Sequence, residues 1–170
     1  YGVDFMKKAN LGQALEVGTD VVVIGGGYTA MDCSRTSLRH GAANVTIAYR
    51  RTRSELVVDE EELGETEREG VRMEFLASPI EVIGEDGKVT GVRFIRNRLG
   101  EPDATGRRSP VPIPGSEFVI PAQTVIPAVS QAADNTFLPV ESSFEINRGR
   151  VKVDPGTYAT NVKGVFACGD

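Results

Sequence analysis

The chain has 170 residues, about the length of one domain, with 40% hydrophobic and 25% charged residues, so it can bury a core and is not a disordered chain. Its formal net charge of −5 at pH 7 argues against a nucleic-acid-binding protein. No apolar run approaches the roughly 18 residues of a membrane span, and the N-terminus has no signal-peptide pattern. We therefore predict a soluble, cytoplasmic protein without nucleic-acid or membrane partners.

The first half of the chain predicts alternating helices and strands. Tyr1 to Leu11 predicts a short helix. Val21 to Ile24 are four β-branched residues, apolar on both faces, as in a central parallel strand that is covered on each side. Three glycines break that strand, and Tyr28 to His40 predicts a helix that Gly41 ends. A second strand, an acidic helix and a third strand are predicted at residues 44–48, 54–69 and 71–76.

The pattern changes in the second half of the chain. Glu81 to Ile83 and Val89 to Arg96 flank Asp86-Gly87, which predicts a β-hairpin. The polar residues 97–114, rich in glycine and proline, predict a long loop, and Glu117 to Ile120 a third antiparallel strand. This meander would return the chain to the parallel sheet at Thr124 to Val129. Further predictions are irregular chain, a short strand, and a final strand and turn, at residues 139–148, 150–153 and 160–170.

The glycine loop lies where a dinucleotide fingerprint requires it, because Gly25-x-Gly27-x-x-Ala30 follows a strand and opens a helix. The first glycine allows a tight turn, the second lets the backbone approach a pyrophosphate, and Ala30 lets the helix pack close to the strand. The phosphates would meet free N–H groups at the helix N-terminus. We predict contacts from Gly25, Gly27, Tyr28, Thr29 and Ala30; a tight structural turn is the alternative.

The end of the second predicted strand indicates which dinucleotide is bound. NAD-binding proteins commonly carry Asp or Glu there to bind the ribose hydroxyls, whereas this chain has Arg50 and Arg51. A 2′-phosphate would repel a carboxylate, and a guanidinium matches phosphate oxygens. We therefore predict NADP(H) rather than NAD(H), with Arg53 as a third contact. The alternative, strongest for Arg53, is solvated arginines that pair with the acidic helix.

Cysteine and histidine usage predicts no metal site. The chain has two cysteines, Cys33 and Cys168, far apart and without a Cys-x-x-Cys pair, so neither a redox disulfide nor an iron–sulfur cluster bound by this chain alone is expected. The single histidine, His40, stands at a predicted helix end. We assign no catalytic acid, base or nucleophile.

The order of the motifs predicts an α/β fold, a Rossmann-like three-layer domain with a central parallel sheet and an antiparallel β-meander crossover. A family resemblance rests on four segments: VVVIGGGYTAMDCSRTSLRHGA, VTIAYRR, VIPAVSQ and GVFACGD. In this order they resemble the NADPH-binding domain of the glutamate synthase small (β) subunit family, which are FAD-dependent pyridine nucleotide oxidoreductases. The NADPH domain of dihydropyrimidine dehydrogenase and ferredoxin–NADP reductase relatives are similar. Tyr28 stands where Asp or Asn is common in the family, and Ser130 where glycine is common.

The resemblance implies a domain inserted into an FAD domain, in which NADPH passes hydride to the flavin and electrons continue to iron–sulfur clusters. It implies that residues 1–19 are a linker or short helix from a missing FAD domain, residues 20–130 the NADPH-binding domain, and residues 131–170 a return segment. The nicotinamide side would be lined by Ala128, Val129 and Ser130, unless these form a simple strand-to-loop turn. Gly169 and Asp170 would contact FAD.

The resulting interpretation is an NADPH-binding fragment of a glutamate-synthase-like oxidoreductase. The chain begins at Tyr1 and ends directly after an apolar run, from which we expect a fragment that lacks activity and bound FAD on its own. The expected partners are the missing FAD domain and either an iron–sulfur domain or a large glutamate synthase-like subunit. The alternatives are a ferredoxin–NADP reductase-like or thioredoxin reductase-like flavoprotein, and a non-catalytic nucleotide-binding module.

Overall fold

The computed structural model describes residues 1–102, 106–129, 135–136, 138, 143–147 and 149–168. The chain divides into two compact units, Tyr1–Val129 and Ser130–Asp170. The elements of the first unit are, in chain order, α1 Gly2–Asn10, β1 Asp20–Ile24, α2 Tyr28–Arg39, β2 Asn44–Tyr49, a 3₁₀ turn Arg53–Glu55, α3 Glu60–Arg68, β3 Arg72–Phe75, β4 Ala77–Glu85, β5 Lys88–Pro102, β6 Arg108–Pro121 and β7 Thr124–Pro127.

Four strands form a parallel sheet in the order β3-β2-β1-β7. The central strand β1 is paired on both sides, with Val22 opposite Thr46 of β2 and Val125 of β7. Val21, Val22 and Val23 are at most 1% exposed, as the run of β-branched residues predicts. Because all four strands point the same way, their carboxyl ends meet at one edge of the sheet, where ligands bind in open α/β sheets.

A three-stranded antiparallel meander, β4-β5-β6, joins β3 to β7. The predicted loop at residues 97–114 is wrong, since β5 continues to Pro102 and β6 already begins at Arg108. The prolines of this segment are tolerated because β6 is an edge strand, where a missing N–H does not interrupt the ladder. Pro112, for example, lies opposite Asn97. The result is a long β5–β6 hairpin.

The parallel sheet is covered on both faces. One core cluster joins the sheet to α2 and α3, and Phe5 and Met6 of α1 pack against it: Val17, Val21, Val23, Ala30, Met31, Cys33, Ala42, Val45, Ile47, Leu63, Val71 and Ile126. The second joins the opposite face to the meander: Val22, Ala48, Ala77, Val92, Phe94 and Ala122. This arrangement confirms the predicted α/β fold with three layers, a central parallel sheet and an antiparallel meander crossover.

The helices start and stop at local signals. Gly41 follows the end of α2 with a φ of +96°, a backbone conformation that disfavours residues with a side chain. The helix predicted at residues 54–69 is shorter in the structure, because Asp59 caps α3 by accepting the Glu62 N–H at 2.8 Å. Before it, Thr52 and Glu55 form a reciprocal capping box around the 3₁₀ turn.

In the second unit, two short strands, β8 Ile146–Asn147 and β9 Arg150–Val151, pair antiparallel. The predicted final strand is not formed within residues 160–168, where only single bridges occur, Val153 to Thr160 and Ala159 to Phe166. The backbone there closes turns instead, with the Val165 N–H donating to the Val162 carbonyl. No helix in the described parts of either unit is long and apolar enough to cross a membrane.

Candidate functional site

The glycine loop lies where β1, β2 and β7 end together. The N–H of Gly25 donates to the carbonyl of Ala48 at 3.1 Å, and the N–H of Ala128 donates to the carbonyl of Ile24 at 2.8 Å. A Cβ at Gly25 would lie 2.3 Å from the Ala128 carbonyl oxygen, and its φ is +152°. Gly25 is therefore required by close backbone approach, and the predicted nicotinamide-side residue Ala128 lies directly against the loop.

The next two glycines have different surroundings. A Cβ at Gly26 would lie 2.4 Å from the ring of Tyr49 and 2.9 Å from Leu56, so packing requires glycine there. No local sequence pattern distinguishes Gly26, because only the fold brings Tyr49 over the loop. A Cβ at Gly27 would meet only Val57 Cγ2, at 3.8 Å. Gly27 thus faces open space at the start of α2.

The N-terminus of α2 carries no side-chain cap. Gly27 is the N-cap residue and has no side chain to accept a hydrogen bond, and the first turn contains no acidic residue. Ala30 is fully buried, so the helix packs closely against the core. The Thr29 methyl group packs against α1, because it lies 2.9 Å from the position that a Cβ on Gly2 would take. The backbone N–H groups of the first turn are therefore not capped by a side chain and can donate to an anion at this end.

The Tyr28 side chain bridges the starts of two helices. Its hydroxyl donates to Asp59 Oδ2 at 3.0 Å, and 52% of the residue is exposed. The hydrogen bond from the Glu62 N–H, and after it the one from Tyr28, holds the pKa of Asp59 below its usual value. Arg35 strengthens the same junction by ion pairs to three carboxylates of the acidic helix region: Glu62, Glu65 and Glu69.

The three predicted arginines lie in different environments. Arg50 is exposed, and within the described residues its guanidinium has no partner. Arg51 is only 6% exposed, and its Nε donates to the carbonyl of Arg108 at 2.7 Å. Arg53 pairs with Glu60 at 2.9 Å and Glu67 at 2.8 Å, hydrogen bonds that raise its pKa. The pairing with the acidic helix that sequence analysis left open is therefore what Arg53 does in this structure.

The β5–β6 hairpin closes one side of this region, which sequence analysis missed because it assigned the segment to a loop. Asn97, 3% exposed, donates its amide to the Arg50 carbonyl at 3.0 Å and to Ser78 at 2.8 Å. Arg108 donates from Nε to Glu55 Oε1 at 2.9 Å. The Thr52 hydroxyl, and after it the Arg108 guanidinium, hold the pKa of Glu55 below its usual value.

The remaining predicted contacts are less completely placed. Val129 is 56% exposed at the end of the first unit. Ser130, Gly169 and Asp170 lie outside the described residues. Cys33 is buried, and burial raises the pKa of its thiol to about 11, so it is an unreactive core residue. Across the described part of the chain, no group of His, Cys, Asp and Glu side chains could hold a metal ion.

Comparison with known proteins identifies the family of this chain. The pyridine nucleotide-disulphide oxidoreductase family matches residues 1–170. The NADP(+)-dependent formate dehydrogenase subunit beta of Moorella thermoacetica is 46% identical over 99% of this chain and 24% of its own length. The glutamate synthase [NADPH] small chains of Halomonas elongata and Escherichia coli are 45% and 42% identical, each over 90% of this chain. They are covered over 33% and 34% of their length, so the chain spans about a quarter to a third of these relatives.

Solved structures show the same architecture. T. acidophilum thioredoxin reductase is 25% identical, with a TM-score of 0.70 over 97% of this chain and 47% of that one. Mycobacterium tuberculosis FprA in complex with NADPH, 20% identical, shares the fold with a TM-score of 0.71 over 94% of this chain and 50% of that one. The predicted resemblance to the glutamate synthase small chain is thus confirmed. The chain belongs to the pyridine nucleotide-disulphide oxidoreductase family.

Proposed function

We propose that this chain binds NADPH and positions it for hydride transfer to FAD in a longer, glutamate-synthase-like oxidoreductase. The names of several relatives at 42–47% identity specify NADPH or NADP(+), which supports this coenzyme. Two of them are beta subunits, of a formate dehydrogenase and of an NADPH-Fe(3+) oxidoreductase. The proposal therefore includes further domains or subunits as partners, among them an FAD domain and an iron–sulfur protein.

One observation carries the proposal. The open position at Gly27 and the uncapped start of α2 lie at the same sheet edge as Arg50, whose guanidinium has no partner within the described residues. A pyrophosphate at the helix start would receive backbone N–H groups. Strand β2 runs beside β1. A ribose that extends from the pyrophosphate would therefore reach the end of β2, where a guanidinium recognises a 2′-phosphate.

Each part of the site has a distinct task under this proposal. Gly25 and Gly27 allow the backbone to approach the pyrophosphate, and the first turn of α2, from Tyr28 to Ala30, donates hydrogen bonds to it. Arg50 and Arg51 select the 2′-phosphate. Bound NADPH and flavin supply the hydride chemistry, and this chain binds and orients the NADPH.

The flanks of the site complete the proposal. Ala128, Val129 and Ser130 line the nicotinamide side, and Gly169 and Asp170 contact FAD in the parent protein. Arg53 remains with Glu60 and Glu67, where the structure shows it.

The direct test is calorimetric titration of the purified chain with NADPH and with NADH. We expect a preference for NADPH of about tenfold or more, since each charged hydrogen bond contributes about 1.5–3 kcal/mol. Equal affinities would remove the assigned role of the arginines. A chain that binds neither coenzyme would contradict the proposal as a whole.

A thioredoxin reductase-like enzyme is the second candidate, favoured by the structural likeness to T. acidophilum thioredoxin reductase. The sequence contains no Cys-x-x-Cys pair with which to reduce a disulfide, which favours the first proposal. A non-catalytic nucleotide-binding module is the third. Sequencing the parent gene would separate them, because an adjoining FAD-binding glycine motif with cysteine clusters supports the first proposal, and a parent without any flavin domain supports the third.

A further inference from the structure

We propose that Arg108, which the β5–β6 hairpin carries to the end of β2, is a specificity-determining residue for the 2′-phosphate, and that Glu55 holds its guanidinium until that phosphate binds. The inference rests on the proposed NADPH binding and adds a residue to the same site. Nothing in the local sequence around Arg108 indicates this role, because its position depends on contacts with Arg51 and Glu55, which are 57 and 53 residues away in sequence.

Three contacts fix the hairpin beside the arginines that follow β2. Asn97 of β5 donates to the carbonyl of Arg50 at 3.0 Å. Arg51 Nε donates to the carbonyl of Arg108 at 2.7 Å. The Arg108 side chain then donates to Glu55 Oε1, from Nε at 2.9 Å and from Nη2 at 2.5 Å. Arg108 is thus attached by its backbone to one predicted phosphate contact and by its guanidinium to the turn that follows.

The Glu55 carboxylate already acts as an anion within this cluster. It accepts hydrogen bonds from the Thr52 N–H at 3.1 Å and from the Thr52 hydroxyl, in addition to those from Arg108. A phosphate monoester carries nearly two charges and three strong acceptor oxygens, so it competes well for a planar guanidinium. Glu55 keeps its two hydrogen bonds to Thr52 when Arg108 leaves, so its carboxylate remains hydrogen-bonded after the exchange.

The exposure of Arg108 makes the exchange accessible and supplies a matched control. Its side chain is 45% exposed, whereas that of Glu55 is 11% exposed. Arg93, on the same meander, is 46% exposed and pairs with Glu81 at 2.6 Å. Arg93 therefore has the same charge, exposure and kind of partner, but it lies opposite Val119, and among the described residues its guanidinium pairs with Glu81 rather than with residues 50–55.

The experiment is calorimetric titration of the chain with 2′,5′-ADP, which carries the 2′-phosphate, and with 5′-AMP, which lacks it. Arg108→Ala should weaken 2′,5′-ADP binding about tenfold or more and leave 5′-AMP binding unchanged. Arg108→Lys keeps the charge but loses the planar fork, so its affinity for 2′,5′-ADP should lie between those of the unsubstituted chain and Arg108→Ala. Arg93→Ala should change neither ligand.

Glu55 provides an independent arm. Glu55→Gln keeps an acceptor oxygen for Thr52 but loses the negative charge that holds Arg108, so 2′,5′-ADP should bind more tightly. That gain should vanish when Glu55→Gln is combined with Arg108→Ala, because the two residues act through one contact. A gain that persists in the double variant would contradict the role of Glu55 as a holder of Arg108.

The outcomes separate this inference from the proposed function. If the unsubstituted chain binds 5′-AMP as tightly as 2′,5′-ADP, the proposed coenzyme preference itself fails. If the chain prefers 2′,5′-ADP and folded Arg108→Ala keeps that preference, only the role of Arg108 is overturned. Should Arg108→Ala unfold, Arg108→Lys and Glu55→Gln decide, and an unchanged preference in both overturns the inference.

Discussion

Arg51 and Arg108, 57 residues apart in sequence, are joined by a 2.7 Å hydrogen bond from the Arg51 Nε to the Arg108 carbonyl. Arg51 is 6% exposed, so its guanidinium anchors the β5–β6 hairpin in addition to any contact with a coenzyme. Substituting Arg51 would therefore disturb fold and binding together. Arg50, which is exposed, allows the two to be separated.

Arg50→Gln should weaken NADPH binding about tenfold to a hundredfold and leave NADH binding unchanged, because one charged hydrogen bond to the 2′-phosphate is lost. Stability should be unaffected, since the guanidinium makes no hydrogen bond or ion pair with a described residue. Arg53→Gln is the contrasting variant and should leave the coenzyme preference unchanged, because two carboxylates, Glu60 and Glu67, hold Arg53, whereas Glu55 alone holds Arg108. Titration calorimetry measures both. A loss of preference in Arg53→Gln alone would exchange their roles.

Gly26→Ala and Gly27→Ala should separate packing from ligand binding. Gly26→Ala places a methyl group against the Tyr49 ring, and we expect a loss of about 1–3 kcal/mol in the free energy of unfolding from overpacking. Gly27→Ala meets only Val57 at 3.8 Å, so the expected loss is that of replacing glycine by alanine at an N-cap, about 1 kcal/mol or less. Urea unfolding measures both effects.

Gly27→Ala should affect coenzyme binding more than stability. In Gly27→Ala the added methyl group occupies space assigned to the pyrophosphate, and NADPH binding should weaken about tenfold or more, the equivalent of about 1.4 kcal/mol. Calorimetry of this variant is the measurement. Full NADPH affinity in a folded Gly27→Ala protein would show that the phosphates do not approach this glycine.

Tyr28→Phe should raise the pKa of Asp59 while leaving it below its usual value of 3.8. The hydroxyl of Tyr28 is lost as a donor, but the Glu62 N–H continues to bind the carboxylate at 2.8 Å. The expected stability loss is small, because the bond is exposed. Carbon NMR titration of the Asp59 carboxyl group provides the measurement. An unchanged pKa would mean that the hydrogen bond does not persist in solution.

The ion pairs between α2 and the end of α3 should make stability depend on acid. Hydrogen bonding to Arg35 lowers the pKa of Glu69 from its usual 4.5. A lowered folded-state pKa contributes stability that is fully present above about pH 4.5 and is lost as the pH falls through the folded-state value. Thermal unfolding of the unsubstituted chain and Glu69→Gln checks this. Their Tm difference should be largest near neutral pH and shrink on acidification; a constant difference would contradict it.

Sequence alone determined the features that depend on neighbouring residues. The β-branched run of β1, the glycine turn, the α2 boundaries and the Asp86-Gly87 hairpin turn follow from local backbone preferences and hydrophobic periodicity. The order of these signals was sufficient for the α/β fold, and the family followed from the resemblance of the four quoted segments. Local signals failed at residues 97–114, where edge-strand pairing, a tertiary property, makes proline acceptable.

Only the tertiary structure decided how the arginines of the candidate site are used. The local sequence, Tyr-Arg-Arg-Thr-Arg, does not distinguish the three arginines. In the structure, Arg50 is exposed, Arg51 is buried and Arg53 is paired with α3. Gly26 and Gly27 are likewise identical in sequence and differ in whether Tyr49 covers them. The physical reason is that burial and charge pairing depend on chain segments brought together by folding, and no local pattern specifies which segments those are.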